Sequence, residues 1–181
     1  LVIADSRHVR TPDGSVLDAD LCLVGAGPAA IAIALTLAGR GLRIVILESG
    51  AIRPSIPRKH LDIGHSVGHQ YYNLMFSRAR AFGGTSSRWH MHGHGDEGWM
   101  ARPMDPIDFE ARPEIPLSGW PFDADHLAPY YARAHELSDL GPPTFETSAW
   151  ERPGMLRLPL PPDAIETVVL QRGMTAFTRF R

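Results

Sequence analysis

Gly25, Gly27 and Ala30 stand in the spacing G-x-G-x-x-G/A, and Glu48 follows them by roughly 20 residues. The first glycine permits a tight turn, and the second lets a diphosphate approach the backbone. The small third residue lets a helix pack closely on a strand. An acid at Glu48 is placed to accept hydrogen bonds from ribose hydroxyls. The free N–H groups of a helix starting near Pro28 and Ala29 suit the diphosphate. Chemistry of this kind is the binding of a dinucleotide, NAD or FAD, and the pattern alone does not choose between them.

A second stretch, Arg80-Ala81-Phe82-Gly83-Gly84-Thr85-Ser86, pairs adjacent glycines with hydroxyl side chains. Consecutive backbone N–H groups in such a loop suit an anionic or polar ligand. Histidines form a third candidate. His65 and His69 are spaced i, i+4 within 62–75, a stretch that reads as a short helix. His90, His92 and His94 alternate, with Asp96 and Glu97 beyond. Metal binding is one reading of both groups. The first lacks a third ligand and glycines break up the second, so polar surface roles are favoured and no metal ligand is assigned.

Positioning the glycines and the acid requires a strand, a helix and a second strand. Leu21 to Val24 and Ile44 to Leu47 are short apolar runs without alternation, as parallel strands buried on both faces would be. Cys22 then reads as a small core residue. Ala29 to Leu37 is rich in Ala, Leu and Ile and reads as the connecting helix, ended by Gly39 and Gly41. Upstream, Thr11-Pro12-Asp13-Gly14 signals a turn, most simply that of a small hairpin. Downstream, Ala101 to Arg112 reads as a loop then a brief helical turn, and Ser118 to Phe122 as a turn with aromatic anchors. A helix starts close to Pro129, with Tyr130, Ala134 and Leu137 as its apolar stripe, and Gly141-Pro142-Pro143 stops it. Ala164 to Leu170 resembles a strand.

The totals narrow the function classes. Acidic and basic residues nearly balance, with a formal net charge of −2, so nothing favours nucleic acid or an anionic membrane. One cysteine excludes an intramolecular disulfide framework. No apolar run is long enough to span a bilayer. No secretory signal is visible, and the cytoplasm is the expected compartment. The first residue is Leu rather than Met, which leaves room for a segment upstream.

Taken together, five blocks in order resemble the amino-terminal part of a glucose–methanol–choline family flavoprotein oxidoreductase. They are Val24 to Ala30, Leu47 to Gly50, Arg80 to Ser86 with Trp89, Arg102 to Phe109, and Ser118 to Pro121 followed by Leu127 to Tyr131. The nearest texture is that of the pyranose-oxidase-like and sugar-dehydrogenase branch. The resemblance implies an α/β fold: a Rossmann-like FAD-binding domain, its parallel sheet incomplete, over residues 1–112. The beginning of a substrate-binding domain would occupy 113–181.

It further implies that Gly25, Gly27, Pro28 and Ala29 lie on the FAD diphosphate, with Glu48 and Ser49 toward the adenosine ribose. Gly83, Gly84, Thr85 and Ser86, with the stretch through Trp89 and His90, would run beside the diphosphate, ribityl chain and isoalloxazine, and Arg80 is a further cofactor-binding candidate. Some relatives attach flavin through a His just before this Trp. Arg88 stands there instead, so non-covalent FAD is expected. The substrate implied is a small alcohol or sugar, and the acceptor is oxygen, a quinone or a cytochrome. The family's catalytic His and its companion lie near the carboxyl terminus, and no residue here matches those motifs. No catalytic residue is therefore assigned. The chain is expected to be a truncated member that does not turn over alone and exposes apolar surface where further strands would pair. Two readings compete: an NAD-dependent dehydrogenase, in which the twin-glycine and Gly-Trp-Pro blocks have no role, and a non-enzymatic histidine-rich metal- or nucleotide-binding module.

Overall fold

Leu21–Val24 forms strand β1 and Ile44–Leu47 forms strand β2, a parallel pair in which Leu21 faces Ile44 and Val24 faces Leu47. Parallel strands need a crossover, and helix α1, Pro28–Leu37, supplies it. Gly27 is its N-cap, Pro28 opens its first turn, and Ile31 N–H donates to Gly27 O at 3.0 Å. Gly39 and Gly41, at φ +75° and +76°, follow its end. The structure, a computed structural model, describes residues 2–6, 8–9, 12–53, 55, 60–88, 99–155, 157–161, 163–173 and 177. Its architecture is mixed α/β with a small two-stranded parallel sheet and few helices. No helix among the described residues is long and apolar enough to cross a membrane.

The chain divides into two compact units, Leu1–His90 with Ala176–Arg181, and Met91–Thr175. Among the described residues of the first unit the buried apolar ones are Ala26 and Ala81. Burial of β1 alternates: Leu21 and Leu23 are half-buried, Cys22 and Val24 exposed. The expectation of a strand covered on both faces is therefore corrected, and with it Cys22 as a core residue. Successive side chains point to opposite faces, and on the Cys22–Val24 face no layer of described residues covers the strand. Val24 is 86% exposed.

Other local expectations shift too. Ser15 N–H donates to Pro12 O at 3.0 Å, so the Pro-Asp-Gly turn forms, but no described residue beside it is in a strand. Residues 62–75 are not one helix. A 3-10 turn covers His60–Asp62, and the short helix α2, Leu74–Ser77, is capped by Asn73, whose side chain accepts the Met75 amide.

In the second unit, β3 (Trp99–Ala101) pairs antiparallel with β4 (Gln171–Gly173), downstream of the run expected to form a strand. Pro106–Phe109 is the expected brief turn, and Phe109, Trp120 and Phe122 cluster with ring centroids 5.5–6.2 Å apart. Helix α3 spans Ala124–Ser138 and starts five residues before Pro129. Asp123 is its true N-cap, accepting the His126 amide at 2.9 Å. Pro129 sits inside, where it removes the amide that would reach Asp125 O. The inward face departs in part from the expected stripe. Leu137 is half-buried as expected, but Tyr130 and Ala134 are exposed, whereas Leu127, Tyr131, His135 and Ser138 turn inward. Buried His135 is satisfied by Gly141 O, 3.0 Å from Nδ1, and meets the edge of Phe145. Asp139, at φ 55°, ends the helix two residues before Gly141.

Candidate functional site

Three segments of the first unit meet at the amino terminus of α1. Leaving β1, the chain turns at Gly25, whose φ of +91° is open to glycine and strained for other residues. Gly25 N–H still reaches back to Leu47 O at 2.7 Å, so the turn begins from the paired strands. Ala26, 1% exposed, is then held from both sides. Its N–H donates to Glu48 Oε2 at 2.8 Å, and its carbonyl accepts the Gly83 amide at 2.7 Å.

Glu48 leaves the end of β2 and also accepts the Gly50 amide, at Oε1 and 2.6 Å. A carboxylate accepting two backbone N–H groups is a charge-assisted clamp. Its two oxygens offer about four lone-pair positions, so capacity for a ribose hydroxyl remains. Beside it, Ser49 Oγ lies 3.5 Å from Glu48 Oε1 and accepts from Arg80 Nη1 at 2.8 Å.

The twin-glycine loop is docked by backbone. Ala51 and Ala81 form a parallel bridge, Phe82 N–H donates to Ala51 O at 2.9 Å, and Gly83 continues onto Ala26. Gly83 and Gly84 both have positive φ, +83° and +57°. A Cβ on Gly84 would lie 3.3 Å from Gly27 Cα, so the loop touches the Gly25–Gly27 turn itself. Ser86, buried, donates to Gly83 O at 2.5 Å, and Thr85 Oγ1 accepts the Ala79 amide at 3.4 Å. Both hydroxyls are thus tied within the loop. Trp89 and His90 lie outside the described residues, as do His92 and His94.

Gly27 differs from its neighbours. Its φ is −80°, within reach of any residue, and a Cβ there would meet nothing within 4 Å. Neither conformation nor packing within the protein calls for glycine at this place. Beyond it, the first amides of α1 have no intrahelical acceptor and Pro28 has none to offer, so Ala29 and Ala30 present theirs to the open side.

Sequence reasoning passed over Asp62. Its side chain is 7% exposed, and Oδ1 accepts Arg80 Nε at 3.0 Å and Nη2 at 2.9 Å. Arg80 Nη2 also donates to Leu61 O at 3.1 Å. No pattern in the sequence pairs an Asp with an Arg 18 residues later across a loop. His65 and His69, read as a helical pair, lie instead outside any helix, with a bend at Gly68 and His69, and line a cavity of about 210 Å³ with Tyr71 and Tyr72. Among the described residues no three His, Cys, Asp or Glu side chains gather as a metal-ligand set.

Compared with models of protein families, with curated proteins and with solved structures, the chain gives no match. The site's chemistry therefore rests on its own geometry. A glycine turn, an open helix mouth, an acid and a second glycine loop converge within one unit.

Proposed function

We propose that this chain is the nucleotide-binding part of an FAD-dependent oxidoreductase of the glucose–methanol–choline type. Its substrate would be the CH–OH group of an alcohol or sugar. The observation that carries the reading is Gly27, a glycine that the protein alone does not require, facing open space at a helix mouth. Close approach of a diphosphate explains it. On this reading the β1–α1–β2 unit is the first crossover of a Rossmann-like domain.

The residues fit the cofactor. Gly25, Gly27, Pro28 and Ala29 would line the diphosphate, with Glu48 and Ser49 beside the adenosine ribose. Gly83, Gly84, Thr85 and Ser86 would lead toward the flavin, with Trp89 and His90 beyond, while Arg80 holds Ser49 at the ribose end. FAD, when bound, supplies the hydride acceptor. The chain's own part is to bind and orient. Glu48 fixes the turn while keeping acceptor capacity, and the α1 amides offer partial positive charge. No residue of this chain is assigned the proton transfer. FAD is favoured over NAD by the twin-glycine loop against Gly27, which an NAD site leaves without a role.

Titrating the purified chain with FAD, followed by flavin fluorescence, tests the reading. Saturable binding, tighter than that of NAD⁺, is the expected result. A folded chain that stays colourless and ignores FAD overturns it.

A further inference from the structure

Arg80 stands beside the ribose end of the candidate site, yet its charge is already engaged. Of the five guanidinium N–H donors, Nε donates to Asp62 Oδ1, Nη2 serves Asp62 Oδ1 and Leu61 O, and Nη1 donates to Ser49 Oγ. About one N–H is left over on this count. Asp62 contributes a formal counter-charge, buried where solvent screens it little. Ser49 Oγ, the hydroxyl that Arg80 holds, is 3.5 Å from Glu48 Oε1. A free guanidinium this close to the ribose acid is the usual means by which such a fold accommodates a ribose 2′-phosphate. Here that means is cancelled by an acid from a different segment.

We propose that Asp62 is a specificity residue of the nucleotide site: by occupying Arg80 it keeps the site for adenosine with an unphosphorylated ribose. Glu48 repels a 2′-phosphate, and Asp62 withholds the cation that would offset the repulsion. The discriminated ligands are adenine nucleotides carrying that phosphate. The inference rests on the proposed nucleotide function and assigns a new role within it.

The experiment compares ADP-ribose with 2′-phospho-ADP-ribose on the full chain by calorimetric titration, with FAD as a reference ligand. Wild type is expected to favour ADP-ribose by about tenfold or more. Asp62→Asn keeps the shape but removes the charge, and should narrow that ratio by about tenfold. Arg80→Gln added to Asp62→Asn should restore it, showing that the effect runs through Arg80. An unchanged ratio in Asp62→Asn, with ADP-ribose and FAD still bound, overturns the inference and leaves the proposed function standing. Failure of wild type to bind FAD or ADP-ribose overturns the function, and the inference with it. Should Asp62→Asn not fold, salt decides on wild type alone. With Arg80 engaged, the phosphate meets net repulsion, so raising ionic strength must raise the relative affinity of 2′-phospho-ADP-ribose. A fall instead shows attraction and overturns the inference.

Discussion

Glu48 Oε2 accepts the Ala26 amide at 2.8 Å, so the acid beyond one strand closes the turn that leaves the other. The same carboxylate takes the Gly50 amide at 2.6 Å. One side chain therefore fixes both ends of the glycine-lined mouth before any ligand arrives. Glu48→Ala leaves the buried Ala26 amide and the half-buried Gly50 amide without their acceptor, at about 1–3 kcal/mol for each group fully buried. Partial exposure lowers the sum, and we expect a loss of about 2–3 kcal/mol in chemical denaturation. Glu48→Gln, which keeps one acceptor oxygen, should lose about half as much.

Two glycines separate packing from ligand approach. A Cβ on Gly50 would collide with the Arg80 carbonyl and come within 2.6 Å of Ala81 N, all backbone that cannot swing aside. Gly50→Ala should cost about 1–3 kcal/mol or more and loosen the Ala51–Ala81 bridge. Gly27→Ala meets nothing, and as a helix N-cap change should cost under about 1 kcal/mol. Its effect belongs to the ligand: FAD affinity should fall by about tenfold or more if the diphosphate lies against the backbone there. Equal FAD affinity in Gly27→Ala and wild type would remove the reason for a glycine at that turn.

The strands and helix around these glycines were legible because their signals are local. Leu21–Val24 and Ile44–Leu47 form as read, since short apolar runs bounded by glycine or charged residues leave few alternatives. What escaped was set by distant partners. Cys22 is exposed because no described layer covers its face, a fact of the sheet and not of the run. Asp62 finds Arg80 through a loop with no period. The α3 face was misjudged because buried His135 is polar, and an apolar count passes over it although Leu127, Tyr131 and His135 are spaced i, i+4, i+8. Starting that helix at Pro129 overlooked Asp123, an N-cap visible in the sequence.

Asp20 and Arg43 show what register would have supplied. Leu21 faces Ile44, so the residues just before them also meet. Asp20 Oδ2 accepts the Arg43 amide at 2.7 Å, and Oδ1 lies 3.4 Å from Arg43 Nη2. The backbone hydrogen bond first, and the guanidinium second, hold the Asp20 carboxyl below its ordinary value against a small opposing effect of burial. A pKa lowered by folding means the stabilisation is complete above the unfolded value of about 3.9 and fades as pH falls through the folded one. Thermal unfolding of wild type and Asp20→Asn across that acid window should therefore converge, with wild type ahead at neutral pH. A constant gap down to the bottom of the window would contradict the linkage.

Leu117 carries backbone strain with nothing to offset it. Its φ is 63°, and its side chain is fully exposed, so no packing compensates for the left-handed conformation. For a β-carbon residue this costs about 1–2 kcal/mol. Glycine would relieve the clash but add about 0.4–1 kcal/mol of unfolded-chain entropy. Asparagine tolerates the same region without that entropy, through local hydrogen bonding. Leu117→Asn should therefore stabilise the chain by about 0.5–1 kcal/mol, with Leu117→Gly close behind. The turn's own bond, Ser118 N–H to Ile115 O at 3.2 Å, is backbone and survives either change. Denaturant midpoints of the two variants against wild type decide it. A loss in both would mean that the Leu117 side chain contributes more than its exposure allows.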